Sequence, residues 1–418
     1  MANKTSSRRV AELMLSWLDL EVVELVELQT LWAGYGHICA ITAQAINEEA
    51  GKRVRQACGQ SGVGADNSFR LILKLVAPPV TRESLDEGHL RKMLSYEVEQ
   101  YFYDEIAPGL ADDVAVAKTL ASTRHMAGRQ GAAELAGLTA IIMTDLRTKF
   151  TVMGESRGVL SADQVLAALT WLAKFHGTSW KQLSSNRELS EFLLPPMQEA
   201  ERRRLNPSTG GSRLWLNGGY TYLATRRKEY NSLARDSYSE WCEPFCSVKS
   251  GSSKSTAEKV AEFLTPSGRP YETYIHGDVK SENLCTTERG DQVAFFDFQY
   301  VGLGLGVCDL AKLFTCSIPV NMLMRKGRIP DALPMDDGEK GLLELYRREL
   351  LRHRPDSDDW EYPWEEFVRH WETALVDWCR FQASWGFWGN TEWLEARVRS
   401  IVNDDNWLKW LDGEVSER

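Results

Sequence analysis

"YIHGDVKSENLCTTERGDQVAFFDFQYVG", residues 274–302, sets an acid, an amide and a second acid around two short apolar runs. Asp278 and Asn283 stand five positions apart, and Asp297 follows Asn283 by fourteen. "NLC" and "VAFF" read as two strands paired across a turn at Arg289–Asp291. In such a hairpin Asn283 begins one strand and Asp297 ends its partner, so their side chains meet at one end, with Asp278 on the preceding loop close to both. Two carboxylates and an amide make an oxygen-rich set suited to Mg²⁺, a hard cation that takes one or two carboxylates and completes its shell with substrate phosphates. Asp-x-x-x-x-Asn followed by Asp-Phe also matches the phosphoryl-transfer arrangement, in which the first Asp accepts a hydroxyl proton and the Asn and second Asp hold metal. Either half alone reads as a surface loop or an edge hairpin. The joint spacing carries the chemistry.

The preceding residues can be tested for the other parts of that arrangement. Residues 7–20 read as a short amphipathic helix, and 22–46 as two antiparallel strands around a glycine turn. Residues 48–66 are polar and Gly-rich and read as a long hairpin tip or mobile loop. "FRLILKLVAPP" (69–79) is a strand stopped by two prolines, a helical pattern runs from Leu90 to Ile106, and "LTAIIMTDL" (138–146) is a further strand. "WAGYGH" (32–37), with Gly34 and Gly36, offers a phosphate-covering turn, Lys74 a strand lysine, and Glu97 its helix partner. "IIMTDL" (141–146), with Met143 and Asp145, offers a hinge whose backbone would hydrogen-bond adenine. Each has a plain structural alternative: an exposed strand lysine, a solvated glutamate, an ordinary hairpin turn. Their order, followed by the hairpin, favours the joint reading.

These motifs resemble the aminoglycoside phosphotransferase/choline kinase superfamily and, within it, the ecdysteroid kinase-like branch. The resemblance rests on "LILKLVAPP", "YEVEQYFYDEIAP", "IIMTDL", "LAKFHG", "IHGDVKSENL" and "FFDFQYVGLGLGVCDLAKLF", and spans roughly residues 30–315. "DFQ" is similar to the ecdysteroid kinase-like pattern, whereas "DFE" would look more like choline kinase. The resemblance implies an α+β, two-lobed protein-kinase-like fold. Its lobes would be a small antiparallel-sheet nucleotide-binding lobe (1–147) and a large, mainly helical catalytic and acceptor-binding lobe (148–418). It further implies transfer of the ATP γ-phosphate to a small-molecule hydroxyl, with ATP and Mg²⁺ as cofactors. Asp278 would be the catalytic Asp, Asn283 and Asp297 the metal ligands, Lys74 the phosphate contact oriented by Glu97, and Asp309 a brace for the catalytic segment. Lys280 either touches the γ-phosphate or is a solvated loop lysine; His276 orients the catalytic loop, and His176 is a packed helix residue. One departure is the long connection between the glycine turn and Lys74.

Farther on, "SADQVLAALTWLAKFHG" (161–177) opens with a capping box, Ser161 to Gln164, and is expected to end at Gly177. The region of Pro195, Pro196 and Pro207 shows little pattern, 249–255 reads as a flexible loop, and everything beyond about Asp336 reads as helix. There Trp364, Trp371, Trp378 and Trp385 recur every seven residues, so the four indoles line one helix face. Such a stripe packs a core; alternatively part of it walls an acceptor pocket, where aromatics beside Glu372 or Asp377 could hold an amine.

Composition narrows the function classes. A formal charge of -10 over 418 residues leaves no basic excess for nucleic acid. The eight cysteines show no zinc spacing and read as free thiols. No uncharged run approaches the roughly 20 residues that cross a bilayer, and the N-terminus lacks a signal-peptide core, so a cytoplasmic protein without membrane partners is expected. The acceptor is expected to be a hydroxylated molecule with a large apolar body (sterol-like, a secondary metabolite) or an amino alcohol. A pseudokinase scaffold is the alternative. A protein kinase fits less well, because twelve positions separate Asp297 from Asp309 and no Ala-Pro-Glu element follows.

Overall fold

The computed structural model describes residues 6–59, 63–64, 67–78, 86–183, 188–206, 214–249, 251–325, 327–354 and 361–416. Pro207 and parts of the 48–66 and 249–255 segments lie outside the described residues. Helix α1 (Ser7–Ser16) is capped by Ser6, whose hydroxyl accepts the Arg9 amide. Strands β1 (Leu20–Thr30), β2 (Gly36–Ala45), β3 (Phe69–Val76), β4 (Thr119–Ser122) and β5 (Thr139–Thr144) form one antiparallel sheet in the order β1-β2-β3-β5-β4. Alternation decides its faces. Leu71, Leu73 and Leu75 of β3 join Ile41, Ile142 and the apolar side of α1 in one core. Lys74 therefore points to the other face.

Between β2 and β3 the chain forms helix α2 (Glu48–Cys58) rather than the expected loop. Asn47 caps it by accepting the Ala50 amide at 2.9 Å, Glu48 and Glu49 occupy its first turn, and Ala50 and Val54 bury its inner face. This insertion accounts for the long connection before Lys74. Helix α3 (Glu87–Tyr101) covers the open face of the sheet and runs into one wider turn at Phe102–Ile106.

The remaining chain is largely helical. Strand β6 (Val152–Met153) precedes α4 (Ala162–Leu183), which opens with reciprocal Ser161–Gln164 hydrogen bonds. Gly177 does not end α4. A Cβ there would stand 2.6 Å from His353 Cβ, so the glycine lets the end of another helix approach mid-course. The region around Pro195 and Pro196 forms α5 (Pro196–Leu205), with Pro196 in its first turn where no amide is needed. Then come α6 (Arg227–Leu233), α7 (Cys242–Cys246) and α8 (Thr256–Leu264), followed by β7 (Glu272–Ile275). Strands β8 (Leu284–Thr286) and β9 (Val293–Phe295) make the expected hairpin, joined by β6 on its edge. Strand β10 (Gly302–Leu305) returns to pair with β7.

Helices α9 (Val307–Cys316), α10 (Val320–Leu323), α11 (Asp337–Leu351), α12 (Trp364–Trp385), α13 (Thr391–Val402) and α14 (Asp405–Ser416) complete the large lobe. The architecture is α+β and two-lobed, and one apolar cluster runs from α3 through α4 and α9 to α12–α14. All eight cysteines are free. No helix among the described residues is long and apolar enough to cross a membrane.

The tryptophan stripe is uneven. Trp371 is fully buried and donates its indole N–H to Glu339 at 2.7 Å, Trp378 is buried, Trp364 half-buried, and Trp385 57% exposed. Gly386, at φ 135°, ends α12.

Candidate active site

The loop from His276 to Asn283 is held from behind. The Asp309 carboxylate accepts the amides of His276 (2.6 Å) and Gly277 (2.9 Å), and His176 Nε2 at 3.1 Å. Burial alone would push the Asp309 carboxyl up, but the His176 hydrogen bond and surrounding positive charge hold it below the usual carboxylate range. His176 Nδ1 meets the Tyr346 hydroxyl at 2.7 Å, so this histidine belongs to the brace and is more than packing. Lys312 adds a hydrogen bond to the Gly277 carbonyl at 2.7 Å. His276 accepts the Asp278 amide on Nδ1 (3.3 Å), leaving Nε2 to donate to the Phe296 carbonyl (2.9 Å), and burial lowers its pKa. A neutral imidazole thus ties the Asp278 loop to the end of β9.

Asn283 donates its Nδ2 both to the Asp278 carbonyl (2.8 Å) and to Asp278 Oδ2 (2.9 Å), which turns its own amide oxygen the other way. Lys280 lies 3.3 Å from Asp278 Oδ2 and 2.6 Å from Glu282, so it is an ion-paired residue at the loop and not a free surface lysine. Asp297 adopts the left-handed conformation (φ 64°), uncommon for a residue with a side chain, and accepts Lys74 Nζ at 3.0 Å and Gln299 Nε2 at 2.6 Å on the same oxygen. Gln299 in turn accepts the Ser95 hydroxyl of α3 at 3.2 Å. The Gln of "DFQ" therefore links Asp297 to α3.

Lys74 completes its ion pair with Glu99 at 2.6 Å, not with Glu97. Glu97 instead binds Arg203 of α5 at 2.9 Å. Two residues along a helix turn the side chain by about 200°, so only one of the two can face β3. Glu99 falls in the inward stripe of Ser95, Val98 and Phe102, and a lone acid in an apolar stripe was the available signal. Burial, offset only in part by Lys74, pushes the Glu99 carboxyl up to about 7. Burial disfavours charge on Asp297 too, yet Lys74 holds it low. One ammonium thus serves two acids, and Asp297 keeps its negative charge.

The turn between β1 and β2 has Gly34 left-handed (φ 73°) with open space where a Cβ would stand. Gly36 answers a different need: its Cβ would lie 1.9 Å from the Leu75 carbonyl oxygen of β3. The turn leans on α3, with Lys92 Nζ 4.4 Å from the Trp32 ring centroid and 4.6 Å from that of Tyr35. Met143 sits near the end of β5 opposite Ile72 of β3. The Asp145 side chain is taken up by Arg147, and its carbonyl accepts the Thr148 hydroxyl at 2.8 Å.

Asn283 and Asp297 supply hard oxygens beside a lysine-held cleft, the donor set Mg²⁺ favours. Among the described residues no group of three or more His, Cys, Asp or Glu forms a self-sufficient metal cage. On the large-lobe side, the 217–224 segment abuts the loop that carries Asp278: a Cβ on Gly277 would lie 2.6 Å from the Gly219 amide nitrogen. Behind this segment lies a cavity of about 380 Å³ lined by Trp378, Asp377, Lys312 and Cys308 among others. Trp378 borders this cavity, and Asp278 is not part of its lining.

The sequence profile of the ecdysteroid kinase-like family matches residues 52–329. The chain belongs to this family. No curated protein matches this ecdysteroid kinase-like chain by sequence. Among solved structures it is distantly similar to an amicoumacin kinase complexed with AMP-PNP and Ca²⁺ (12% identity, 99% of this chain and 93% of that one, TM-score 0.40). It is likewise similar to the choline kinase LicA from Streptococcus pneumoniae (11%, 98% and 98%, 0.37). An ethanolamine kinase from Plasmodium vivax is at the same level (11%, 96% and 82%, 0.35).

Proposed function

We propose that this ecdysteroid kinase-like chain transfers the γ-phosphate of ATP to a hydroxyl of a small molecule, with Mg²⁺. The observation that supports this best is the convergence of Lys74, Glu99 and Asp297 on one ion-paired cluster, with Asn283 bonded to Asp278 a short way along the same hairpin. In this reading residues 1–147 bind nucleotide and 148–418 bind the acceptor. Lys74 positions the phosphates and Glu99 holds Lys74 in place. Asn283 and Asp297 would hold the cation, which when bound neutralises phosphate charge. The Asp278 carboxylate receives the acceptor's proton. The acceptor oxygen forms its bond to γ-phosphorus, the bridging bond breaks, and ADP leaves with the electron pair. Lys280, paired to Asp278, would meet the transferred phosphoryl group. The eight free thiols suit a reducing compartment such as the cytoplasm.

Calorimetry of ATP binding tests the metal assignment. ATP should bind roughly tenfold or more tightly with Mg²⁺ than with EDTA, and Asp297→Ala should abolish that difference. Equal affinity with and without metal in the unaltered protein would overturn it.

A further inference from the structure

Beside the catalytic loop lies an aromatic cluster that already contains a cation. The Arg226 guanidinium lies 4.9 Å from the ring centroid of Trp385, 5.5 Å from that of Tyr220 and 5.6 Å from that of Phe381. Its side chain is only 7% exposed. Nε donates to the Tyr220 carbonyl at 2.8 Å, Nη1 reaches Glu229 only at 3.4 Å, and Nη2 has no partner among the described residues. Tyr220 packs on Tyr300, with ring centroids 4.8 Å apart. Both phenols are pushed up first by burial and then by the charge of Asp278, while Arg226 pulls both the other way. Gly219, the residue before Tyr220, donates its amide to the Tyr300 carbonyl at 2.9 Å and packs on Gly277, so the two tyrosines stand beside the loop that carries Asp278.

A second cation stands close. Arg91 of α3 donates to Glu87 (2.8 Å) and to the Thr225 carbonyl (3.1 Å), and its buried Nε has no partner. Burial and then Arg91 lower the Arg226 pKa, so the pair is electrostatically unfavourable as it stands. The acids facing them, Glu87 and Glu229, are each engaged with one guanidinium. Aromatic faces arranged around a point are a means of holding a ligand's ammonium group. Here the chain's own arginine occupies those faces, and an entering cation would meet like charge. An oxyanion would meet a guanidinium fork with a donor to spare.

We infer that the acceptor side of Asp278 excludes quaternary ammonium and other cationic amino alcohols. It takes instead a hydroxylated acceptor that carries a carboxylate or similar oxyanion on an apolar body, with Arg226 as the specificity-determining residue. The placement of the acceptor's hydroxyl rests on the kinase reading; the charge preference does not. Intrinsic fluorescence titration with benzoate and with tetramethylammonium tests it on the full chain. Benzoate should bind at least about tenfold more tightly than tetramethylammonium. Arg226→Met should reverse that order while Mg²⁺–ATP binding is unchanged. If the Met variant does not fold, Arg226→Lys should still exclude tetramethylammonium but bind benzoate several-fold more weakly. Tetramethylammonium binding as tightly as benzoate, benzoate failing to bind, phosphorylation of choline, or an Arg226→Met variant unchanged toward both probes would each overturn the inference. Loss of ATP binding or turnover alone would count against the kinase reading and leave the charge preference standing.

Discussion

In the hairpin from Asp278 to Asp297 three polar groups sit within one supersecondary unit, whereas on α3 two glutamates two residues apart face opposite ways. The hairpin's geometry follows from its own strand pairing: Leu284 opposite Phe295 leaves Asn283 and Asp297 at the same end. The choice between Glu97 and Glu99 depends on how α3 is rotated over β3, and that is set by Ser95, Val98 and Phe102 packing elsewhere. Chemistry carried by a local unit can be read from spacing. Chemistry that needs two distant elements to meet can be read only from which face each one buries.

The sharpest probe of the hairpin is Asp278→Asn. It should lower turnover by about 10³- to 10⁴-fold with ATP affinity nearly unchanged, in steady-state kinetics paired with calorimetry. A comparable loss of ATP affinity would mean that the hairpin works as a nucleotide clamp and not at the acceptor. Next in size is the same contrast along α12, where heptad spacing aligned the indoles without giving their depth. Trp371→Ala should cost about 3–5 kcal/mol in chemical denaturation, and Trp385→Ala about 1 kcal/mol or less. Similar costs for both would deny that the stripe passes from core to rim. Glu99→Gln should then lower kcat/KM by roughly 10- to 100-fold, since it weakens the pair that places Lys74. Glu97→Gln should stay within about threefold and act mainly on stability, because its partner is Arg203. If Glu97→Gln proves the more damaging of the two, α3 must rotate in the working state.

Much of the sheet and the whole hairpin were legible in the sequence because alternation and turn residues are local signals. Lys74 was reached through the order of elements along the chain, and the Asp309 brace through the family resemblance. Helix α2 was not, since its composition is polar and includes Gly51, and only Asn47 with the two following acids marked its start. Gly177 misled for the opposite reason: glycine usually ends a helix, and here it makes room for another one. Arg226, Tyr220 and Tyr300 carried no spacing at all. They meet because the 217–224 segment doubles back beside the catalytic loop, which no periodicity encodes.

The contact between Lys74 and Asp297 joins residues 223 positions apart. Closing so long a loop costs entropy before it returns any contact energy, so this ion pair is expected to form late in folding. Phe298, next to the left-handed backbone of Asp297, stacks on Phe102 with ring centroids 3.9 Å apart. Nucleotide binding would then double as a maturation signal. During refolding it should lag behind the recovery of helical ellipticity, and chains halted between the two would expose an unpaired lysine and two unpaired acids to quality control.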